Sequence, residues 1–367
     1  MAPMQRMILG RTGLEVYRLG FGGIPIQRVS EADGVETVRH AVERGLDFID
    51  TSRAYSTSER RIGLALKQAG VGAGRPGGVG SGAAGSGAVG SGVAGRRVVL
   101  ASKSHAKTAD AMRAHLETSL KELQTDYIDI YKAHFVSNHA EYQTVISPGG
   151  ALEALIKARD EGLIGHIGLT SHNLEVLDRC LDDGLFDVIM VCFSFLEPQA
   201  REKIIPKALE KNIGVLAMKP FSGGVIEDAL LALTYALGEP GVLVLAGVES
   251  PVLFDENWRV FQEGAPLNEV EQEQIAELQR TYDKVFCRRC DYCQPCTEGI
   301  SIQTALGVRA LVKRLGKETL QKGPLWPGMD KARNCTACGD CMPRCPYELP
   351  IPDLIRENLR WLDELGD

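Results

Sequence analysis

The residues of this 367-residue chain best suited to chemistry are its cysteines, eight of which lie between residues 287 and 345. They form two runs. In the first, two residues separate each neighbouring pair; in the second, the last gap is three residues and proline follows. The first run is Cys287, Cys290, Cys293 and Cys296, and the second is Cys335, Cys338, Cys341 and Cys345. Thiols at this density are candidates for ligating a metal or a metal cluster.

The second run resembles the ligand spacing of bacterial ferredoxins, in which the cysteine before proline ligates the other of two clusters. The pattern therefore predicts two [4Fe–4S] clusters that exchange one ligand. One cluster takes Cys287, Cys290, Cys293 and the remote Cys345, and the other takes Cys335, Cys338, Cys341 and the remote Cys296. The first run departs from the pattern in its last gap, and Thr297 follows it where proline is usual.

Two other uses of these cysteines stay open. Disulfides need an oxidising compartment, and Met1–Gly10 has too few consecutive apolar residues for a secretory signal. Two structural zinc sites are the second alternative, although such sites are more often built from two separated Cys-x2-Cys pairs. Cys180 and Cys192 lie within a predicted helix and a predicted strand, and we expect them to be inert core thiols.

Four further residues, Asp50, Tyr55, Lys103 and His134, stand at or just after the ends of predicted strands. A tyrosine, with an ordinary pKa of about 10, is a poor acid at neutral pH unless a nearby ammonium favours its anion. We expect Lys103 to supply that charge, Asp50 to hold Lys103, and His134 to orient a carbonyl oxygen. This division of roles suits protonation of an alkoxide as a hydride arrives at carbon.

Up to about residue 262, short β-branched apolar runs alternate with helical stretches such as Ala109–Leu123. Eight such units in about 250 residues predict a (β/α)8 TIM barrel over residues 1–262, with its chemistry at the C-terminal strand ends. A doubly wound sheet is the alternative, but it normally carries a glycine fingerprint after its first strand. The predicted strands are Val16–Gly22, Asp47–Thr51, Val98–Lys103, Tyr127–His134, Ile164–Thr170, Asp187–Phe195, Ile213–Lys219 and Val242–Gly247.

Two segments do not follow this alternation. Residues 70–95 hold 12 glycines among 26 residues and few side chains that could be buried, which predicts a flexible insert. After Gln262 the alternation stops, and the Gly and Pro residues that follow predict a domain boundary. Residues 263–367 are therefore predicted to form a ferredoxin-type iron–sulfur domain that begins with a charged helix, Glu269–Lys284.

The composition, with 44% hydrophobic and 24% charged residues, is typical of a globular protein. The net charge of −7 argues against a general nucleic-acid binder, because phosphate recognition needs a basic face. The longest apolar region, Ala229–Gly247, is interrupted by a Gly-Glu-Pro-Gly sequence, so no membrane span is expected. We expect a cytoplasmic protein that binds neither nucleic acid nor membranes.

The segment Asp47–Gly63 resembles the signature of the aldo/keto reductase superfamily, whose members are (β/α)8 barrels, and Leu9–Val16 resembles that family's start. Short motifs at the ends of the third, fourth and fifth predicted strands are also similar. The resemblance covers roughly residues 5–262 without the insert. It implies that Asp50, Tyr55, Lys103 and His134 are the catalytic tetrad, with Tyr55 as general acid/base. It also implies membership of a subgroup with a C-terminal ferredoxin-like domain.

The resemblance further implies a nicotinamide cofactor at the barrel mouth, but several contact positions differ from the family's pattern. Ser171 and His172 stand where the family has Ser-Asn for the carboxamide. Met190 occupies the position of a glutamine, and Met218 replaces the aromatic residue that stacks on the nicotinamide. Asn257 is the remaining contact that the pattern implies.

Basic residues that grip the 2′-phosphate of NADPH are expected just before Glu256 and Asn257 in this family. Residues 247–255 contain no Lys or Arg, so a phosphate would meet Glu249 and Asp255 instead. Because like charges repel, an obligate need for NADPH is not expected.

Iron–sulfur clusters pass single electrons, whereas carbonyl reduction takes two electrons and two protons. We therefore expect ferredoxin or another redox protein as a partner, and NAD(P)H or a flavin to pool the electron pair in the barrel. Lys219, Gly223 and Gly224 are candidates for a phosphate contact, since backbone amides at glycines approach anions closely. His139, in the loop after the fourth strand, is either a solvated histidine or a substrate contact.

The sequence thus predicts an iron–sulfur oxidoreductase of the aldo/keto reductase type that reduces or forms a small carbonyl compound, with Tyr55 as general acid/base. The alternative is a redox-responsive regulatory or electron-carrier subunit in which the barrel is a scaffold. The complete tetrad favours the enzyme, and the altered nicotinamide contacts favour the scaffold, because a fold alone does not decide between them.

Overall fold

The structure, a computed structural model, describes residues 6–72, 96–290, 292–323 and 325–365. These residues separate into two compact units. The first unit runs to Phe221 and includes Ile226–Leu267, and the second contains Ser222–Val225 and the residues from Asn268 onward. The last helix of the first unit continues to Glu263, and Gly264 ends it in a left-handed conformation. The predicted division into residues 1–262 and 263–367 stays a prediction.

The first unit begins with a short antiparallel pair, β1 (Arg6–Ile8) and β2 (Glu15–Tyr17). Within the described ranges, eight parallel strands then close into a barrel in chain order, and the last strand pairs with the first. These strands are β3 (Leu19–Gly22), β4 (Phe48–Asp50), β5 (Val99–Ser104), β6 (Ile128–Ala133), β7 (Ile164–Thr170), β8 (Val188–Cys192), β9 (Gly214–Met218) and β10 (Val242–Gly247). The predicted TIM barrel is confirmed, and the doubly wound alternative is wrong.

Each barrel strand is followed by at least one helix, which places an amphipathic face against the strands. The helices are α1 (Glu31–Glu43), α2 (Ser58–Ala69), α3 (Ala109–Leu123), α4 (His139–Ile146), α5 (Ala151–Asp160), α6 (Leu174–Asp183), α7 (Ile204–Glu210), α8 (Ala229–Leu237) and α9 (Pro251–Glu263). Helix α3 has the predicted bounds. Helix α4 was not expected, because His139, its first residue, was predicted to lie in a loop.

The strand predictions differ from the structure mainly at the start. Strands β7 and β10 have the predicted bounds, and most other strand ends differ by one to three residues. The predicted strand Val16–Gly22 is wrong as a single element, because β2 ends at Tyr17 and β3 begins at Leu19. Between them, the buried Arg18 donates to the carbonyl oxygens of Val242 and Glu239. The chain leaves the antiparallel pair and enters the barrel at this residue.

Alternate residues of the strands point into the barrel, where a buried apolar layer forms. This layer contains Leu9, Val16, Phe48, Val99, Ala101, Ile130, Val188, Met190, Leu216, Leu243 and Leu245. Two residues beyond Phe48, Ala101 and Ile130, the same alternation reaches Asp50, Lys103 and Lys132, all of which are buried. The inner layer therefore changes from apolar to charged towards the C-terminal ends of β4, β5 and β6.

The glycine-rich segment lies mostly outside the described residues, which omit 73–95, so its flexibility stays a prediction. Its flanks are described. The amide of Gly72 donates to the carbonyl of Arg96 at 2.9 Å, and the amide of Val98 donates to the carbonyl of Gly72 at 3.0 Å. The segment therefore leaves and rejoins the barrel at one place, between α2 and β5.

The second unit is helical in its described part. Its helices are α10 (Glu269–Tyr282), α11 (Ile302–Leu306), α12 (Val308–Leu315), α13 (Lys317–Lys322), α14 (Trp326–Asp330) and α15 (Ile351–Glu364). Asn268 begins α10 with a capping box that it forms with Glu271, close to the predicted start of the helix. None of the helices in the described ranges combines the length and the apolar composition that a membrane crossing requires.

Candidate functional site

Four predicted residues meet at the C-terminal end of the barrel. Asp50 is the last residue of β4, Lys103 lies near the end of β5, and His134 directly follows β6. Tyr55 belongs to the loop between β4 and α2. Its ring centroid lies 4.8 Å from the Lys103 Nζ atom and 5.9 Å from the centroid of the His134 ring. The parallel strands therefore bring together side chains that are up to 84 residues apart in the sequence.

The Asp50–Lys103 pair forms the buried base of this site. The Lys103 ammonium donates to the Oδ1 atom of Asp50 and, at 2.8 Å, to the carbonyl of Thr51. Burial lowers the pKa of Lys103, but the negative charge of Asp50 and the Tyr55 phenol outweigh burial, so the pKa lies above its ordinary value. Lys103 is thus a fixed ammonium that is 1% exposed and lies against the half-buried Tyr55.

His134 is held beside Tyr55 as a neutral imidazole. Burial, and then the charge of Lys103, keep the pKa of His134 well below its ordinary value. Its Nδ1 atom lies 3.0 Å from the Ser52 hydroxyl, which also lies 3.0 Å from the Lys103 carbonyl. The ring of His105 stacks on it with a centroid separation of 4.0 Å. Because Ser52 has one proton to donate, its orientation decides which His134 nitrogen carries the imidazole proton.

Lys132 is a fifth residue of this group and its third charged one, and no pattern in the sequence singled it out. Its Nζ atom donates to the Oδ2 atom of Asp50 at 2.7 Å, so the carboxylate bridges two lysines. Lys132 lies within the apolar run of β6, which hides a buried charge from any pattern of hydrophobicity. Two features of the sequence could have indicated Lys132. It lies two residues before His134, and the alternation of β6 turns it towards the barrel interior.

The predicted carboxamide contacts are only partly brought together. The Ser171 hydroxyl is buried, donates to the carbonyl of Val136 at 2.6 Å and accepts from the amide of Asn173 at 3.0 Å. The half-buried His172 and Lys219 meet, with 2.8 Å between Nε2 and Nζ. Met190 is buried in the inner apolar layer, whereas Met218 is half-buried.

The other predicted residues are Asn257, Gly223, Gly224 and His139. Asn257 is buried within α9. Gly223 and Gly224 belong to the segment 222–225 that groups with the second unit, so no site that combines them with Lys219 is described. Their role in cofactor binding stays a prediction. His139 is the exposed first residue of α4, whose N-cap is Asn138, and not a loop residue as expected.

The acidic residues near Asn257 have basic partners from elsewhere in the barrel. Glu249 pairs with Arg28 at 3.2 Å, and Asp255 pairs with Arg44 at 3.1 Å. Residues 247–255 contain no Lys or Arg, but this does not make the region purely acidic. Arg28, from the segment between β3 and α1, supplies a positive charge there. Burial lowers the pKa of Arg28 and the charge of Glu249 raises it, with a net lowering.

The cysteines of the second unit line two cavities in its described part. The first is lined by Cys287, Cys290, Cys293 and Cys345, and the second by Cys296, Cys335, Cys338 and Cys341. Helices α11 and α15 contribute to both walls, with Leu306 and Ile351 in the first cavity and Ile302 and Ile355 in the second. The structure thus groups the cysteines as the exchanged-ligand pattern does, and ligation itself stays a prediction.

The thiols of the second cavity are close enough to affect one another. Burial raises the pKa of Cys341, and the nearby thiols of Cys338, Cys335 and Cys296 raise it further. Among the described residues, no group of three or more His, Cys, Asp or Glu side chains is arranged to hold a metal ion. Four thiols around a cavity with isoleucine and proline in its walls fit a cluster that is anchored at its corners.

Cys180 and Cys192 lie outside these cavities, in α6 and β8, and both are buried. Burial raises the pKa of Cys180 far above its ordinary value, so this thiol stays protonated.

Two family models match the chain. Residues 18–230 match the aldo/keto reductase family, and residues 286–350 match the 4Fe-4S dicluster domain. The first match spans the barrel strands β3 to β9, and the second contains all eight clustered cysteines.

Curated relatives are similar over the barrel. L-galactose dehydrogenase of Arabidopsis thaliana is 29% identical over 238 residues, which are 62% of this chain and 69% of that protein. The aldo-keto reductase YhdN of Bacillus subtilis is 25% identical over 241 residues, 61% of this chain and 64% of that protein. The chain thus spans about two thirds of the length of these relatives.

Solved structures share the fold. The holo form of an aldo-keto reductase from Bacillus halodurans has a TM-score of 0.59 at 22% identity and covers 75% of this chain and 96% of its own. An aldo-keto reductase from Klebsiella pneumoniae in complex with NADPH has a TM-score of 0.56 at 22% identity, with 75% and 95% covered.

Proposed function

Because the chain belongs to the aldo/keto reductase family and carries a C-terminal 4Fe-4S dicluster domain, we propose that it interconverts a small carbonyl compound and its alcohol as an iron–sulfur oxidoreductase. The observation that carries this proposal is the meeting of Asp50, Lys103, Tyr55 and His134 at the C-terminal end of the barrel. Active sites of TIM-barrel enzymes lie at that end.

Tyr55 is proposed as the general acid of reduction and the general base of oxidation. In reduction its hydroxyl donates a proton to the substrate oxygen, while carbon accepts a hydride, so that a carbonyl becomes an alcohol. The phenolate that remains is stabilised by the Lys103 ammonium, which Asp50 and the Thr51 carbonyl hold in place. The neutral His134 beside it is proposed to orient the substrate oxygen.

The proposed redox cofactor of the barrel is a nicotinamide, which supplies or takes up the hydride when bound. The NADPH complex of the Klebsiella pneumoniae protein supports this choice, whereas no comparison supports a flavin. Ser171, His172, Lys219 and Asn257 are the residues proposed to hold it. The pairing of Arg28 with Glu249 suits a ribose hydroxyl better than a 2′-phosphate.

The second unit is proposed to hold two [4Fe–4S] clusters, which carry single electrons when bound. Cys287, Cys290, Cys293 and Cys345 would hold one cluster, and Cys296, Cys335, Cys338 and Cys341 the other. Ferredoxin or another one-electron carrier is the proposed redox partner.

A second candidate function is a regulatory or electron-carrier subunit in which the barrel does no chemistry. The observation that favours it is the Ser171 hydroxyl, which already bonds two backbone groups of the barrel and is less suited to a cofactor. Turnover that depends on Tyr55 separates the two functions.

The test is carbonyl reduction by anaerobically purified protein of known iron, sulfide and flavin content. Reduced ferredoxin, NADH and NADPH serve as donors, and the substrates include simple aldehydes and, in reverse, L-galactose. We expect Tyr55→Phe to reduce kcat by about 10²–10⁴-fold at unchanged iron content, because the proton donor is lost.

The matched control is Tyr17→Phe, which removes a hydroxyl from a half-buried tyrosine of β2, before the first barrel strand. It should leave kcat unchanged. Equal activity of Tyr55→Phe and the parent protein would remove Tyr55 from the mechanism, and no turnover with any donor would favour the scaffold.

A further inference from the structure

Lys132 is a completely buried lysine that the proposed acid–base chemistry does not yet use. It lies on β6, where its Cα position pairs with that of Lys103 on β5 and with that of Gly168 on β7. Its side chain is 0% exposed, and its ammonium donates to the Oδ2 atom of Asp50 at 2.7 Å. Lys103 donates to the other oxygen of the same carboxylate. Asp50 is therefore shared between two ammonium groups.

The neighbouring strand leaves room for this lysine. A Cβ atom on Gly168 would lie 2.7 Å from the Cγ atom of Lys132 and 2.9 Å from the carbonyl oxygen of Val188. The backbone of Gly168 is not in the left-handed region, so no turn requires glycine there. The Lys132 stem and the Val188 carbonyl together leave no room for a Cβ atom at this position.

Packing alone does not explain why two lysines share one buried carboxylate, because apolar side chains would fill the same space at a lower cost in stability. A single buried ion pair is at best neutral in stability compared with apolar side chains of the same size, and a second buried ammonium adds desolvation and repulsion. Burial, and then the charge of Lys103, lower the pKa of Lys132 to about 8, although Asp50 raises it. Lys132 is still mainly protonated at pH 7, so the buried group carries a net positive charge.

The charged groups that face Lys132 are few in the described structure. Asp50 and Lys103 act on it from β4 and β5, and its own charge contributes to the lowered pKa of His134. From β7 and β8 it faces Gly168 and the apolar inner layer, which includes Met190. Tyr55 lies against Lys103 at the exposed side of the group.

On this basis, and resting on the proposed function, we propose that Lys132 is a fifth member of the acid–base group. It is a positioning residue: it holds the second oxygen of Asp50 and supplies the net positive charge that favours the Tyr55 phenolate. Without it, Asp50 would neutralise Lys103 and less positive charge would act on Tyr55. With it, the phenolate that carbonyl reduction leaves on Tyr55 is stabilised as long as Lys132 is charged.

The test measures ionisation of Tyr55 directly, in the cluster-loaded full-length protein under anaerobic conditions. The absorbance of tyrosinate is titrated with pH in the parent and in Lys132→Met, and each curve is corrected with the same protein carrying Tyr55→Phe. The difference isolates Tyr55. We expect Lys132→Met to move its midpoint upward, and by more the further the parent midpoint lies below the Lys132 pKa of about 8, because only the charged lysine favours the phenolate.

Lys132→Gln separates charge from position, since its amide still donates to Asp50. It is expected to move the midpoint in the same direction, and it serves as the second variant if Lys132→Met does not fold. Lys157→Met is the matched control, because Lys157 is an exposed lysine of α5 that pairs with Glu153 at 2.8 Å. It should leave the ionisation midpoint of Tyr55 unchanged.

The pH dependence of kcat, measured where turnover is found, should shift with the absorbance midpoint. A Tyr55 midpoint that is unchanged in both Lys132 variants overturns the proposal, whether or not the protein reduces carbonyls. A protein that shows the shift without any turnover contradicts the proposed function and leaves the role of Lys132 supported.

Discussion

The barrel site and the cysteine cavities differ in how far their side chains are held in place without a ligand. In the barrel, Asp50, Lys103 and Lys132 are at most 4% exposed and already hydrogen-bond to one another. In the second unit, the thiols stand around cavities, and one of them, Cys338, is exposed. The barrel group is complete without a ligand, whereas the thiols need a cluster to join them. Preorganised charge and ligand-dependent order thus occur in one chain.

The largest expected effect tests the ligand-dependent half of this comparison. Removing iron with a chelator should unfold much of the second unit while the barrel stays folded, because cluster binding supplies folding free energy to a small domain. Limited proteolysis with mass spectrometry should place the new cleavage sites after Leu267, outside the glycine-rich segment.

The control for this experiment is a pair of cysteine variants. Cys338→Ser should lower the iron content, and Cys192→Ala, at a buried cysteine of β8, should not. An iron-free protein whose residues 268–365 resist protease as well as the loaded protein would contradict the comparison.

A smaller effect, on cofactor preference, is expected at Arg28, whose charge is already neutralised by Glu249. Glu249→Gln should free Arg28, which lies 3.2 Å from that carboxylate, to meet a 2′-phosphate. The KM for NADPH should then fall about tenfold relative to that for NADH, which corresponds to about 1.4 kcal/mol. Steady-state kinetics with both cofactors measure it.

Glu36→Gln is a suitable control, because Glu36 forms an exposed ion pair with Arg39 in α1. An unchanged preference in Glu249→Gln would mean that Arg28 does not face the cofactor phosphate.

The smallest effect concerns the stability of the buried charges. Lys132 has a pKa of about 8 in the fold and 10.5 ordinarily, so between these values the unfolded chain binds more protons than the folded one. Its contribution to the free energy of unfolding therefore rises with pH across this window, by at most about 1.4 kcal/mol per unit. Lys132→Met lacks this contribution.

We therefore expect the variant to be at least as stable as the parent at pH 7, and to lose that advantage as the pH rises towards 10.5. Denaturant unfolding at several pH values measures the difference. A constant difference across the window would show that Lys132 stays protonated in the fold up to its ordinary pKa of 10.5.

Features with a local signal were predicted well from the sequence. The strand Ile164–Thr170 and the helix Ala109–Leu123 have the predicted bounds, because the pattern of apolar residues along the chain is what forms each element. The grouping of the cysteines in two cavities also follows their spacing, since gaps of two residues place successive thiols around one centre.

Features that depend on contacts across the barrel were not predicted. Arg18 ends one strand and starts another through carbonyls more than 200 residues away, which no local pattern reveals. Arg28 supplies the positive charge that residues 247–255 lack. Lys132 was read as part of an apolar strand, because the carboxylate that makes its burial tolerable lies 82 residues earlier. In each case the missing information is the partner.

The hydrogen-bonded flanks at Gly72 and Arg96 have a consequence for how this chain can change over time. Since the two ends lie side by side, residues can be added or deleted between them without altering the register of β4 against β5. The barrel would tolerate such variation there, and this position is suited to carrying a reporter domain or new chain termini.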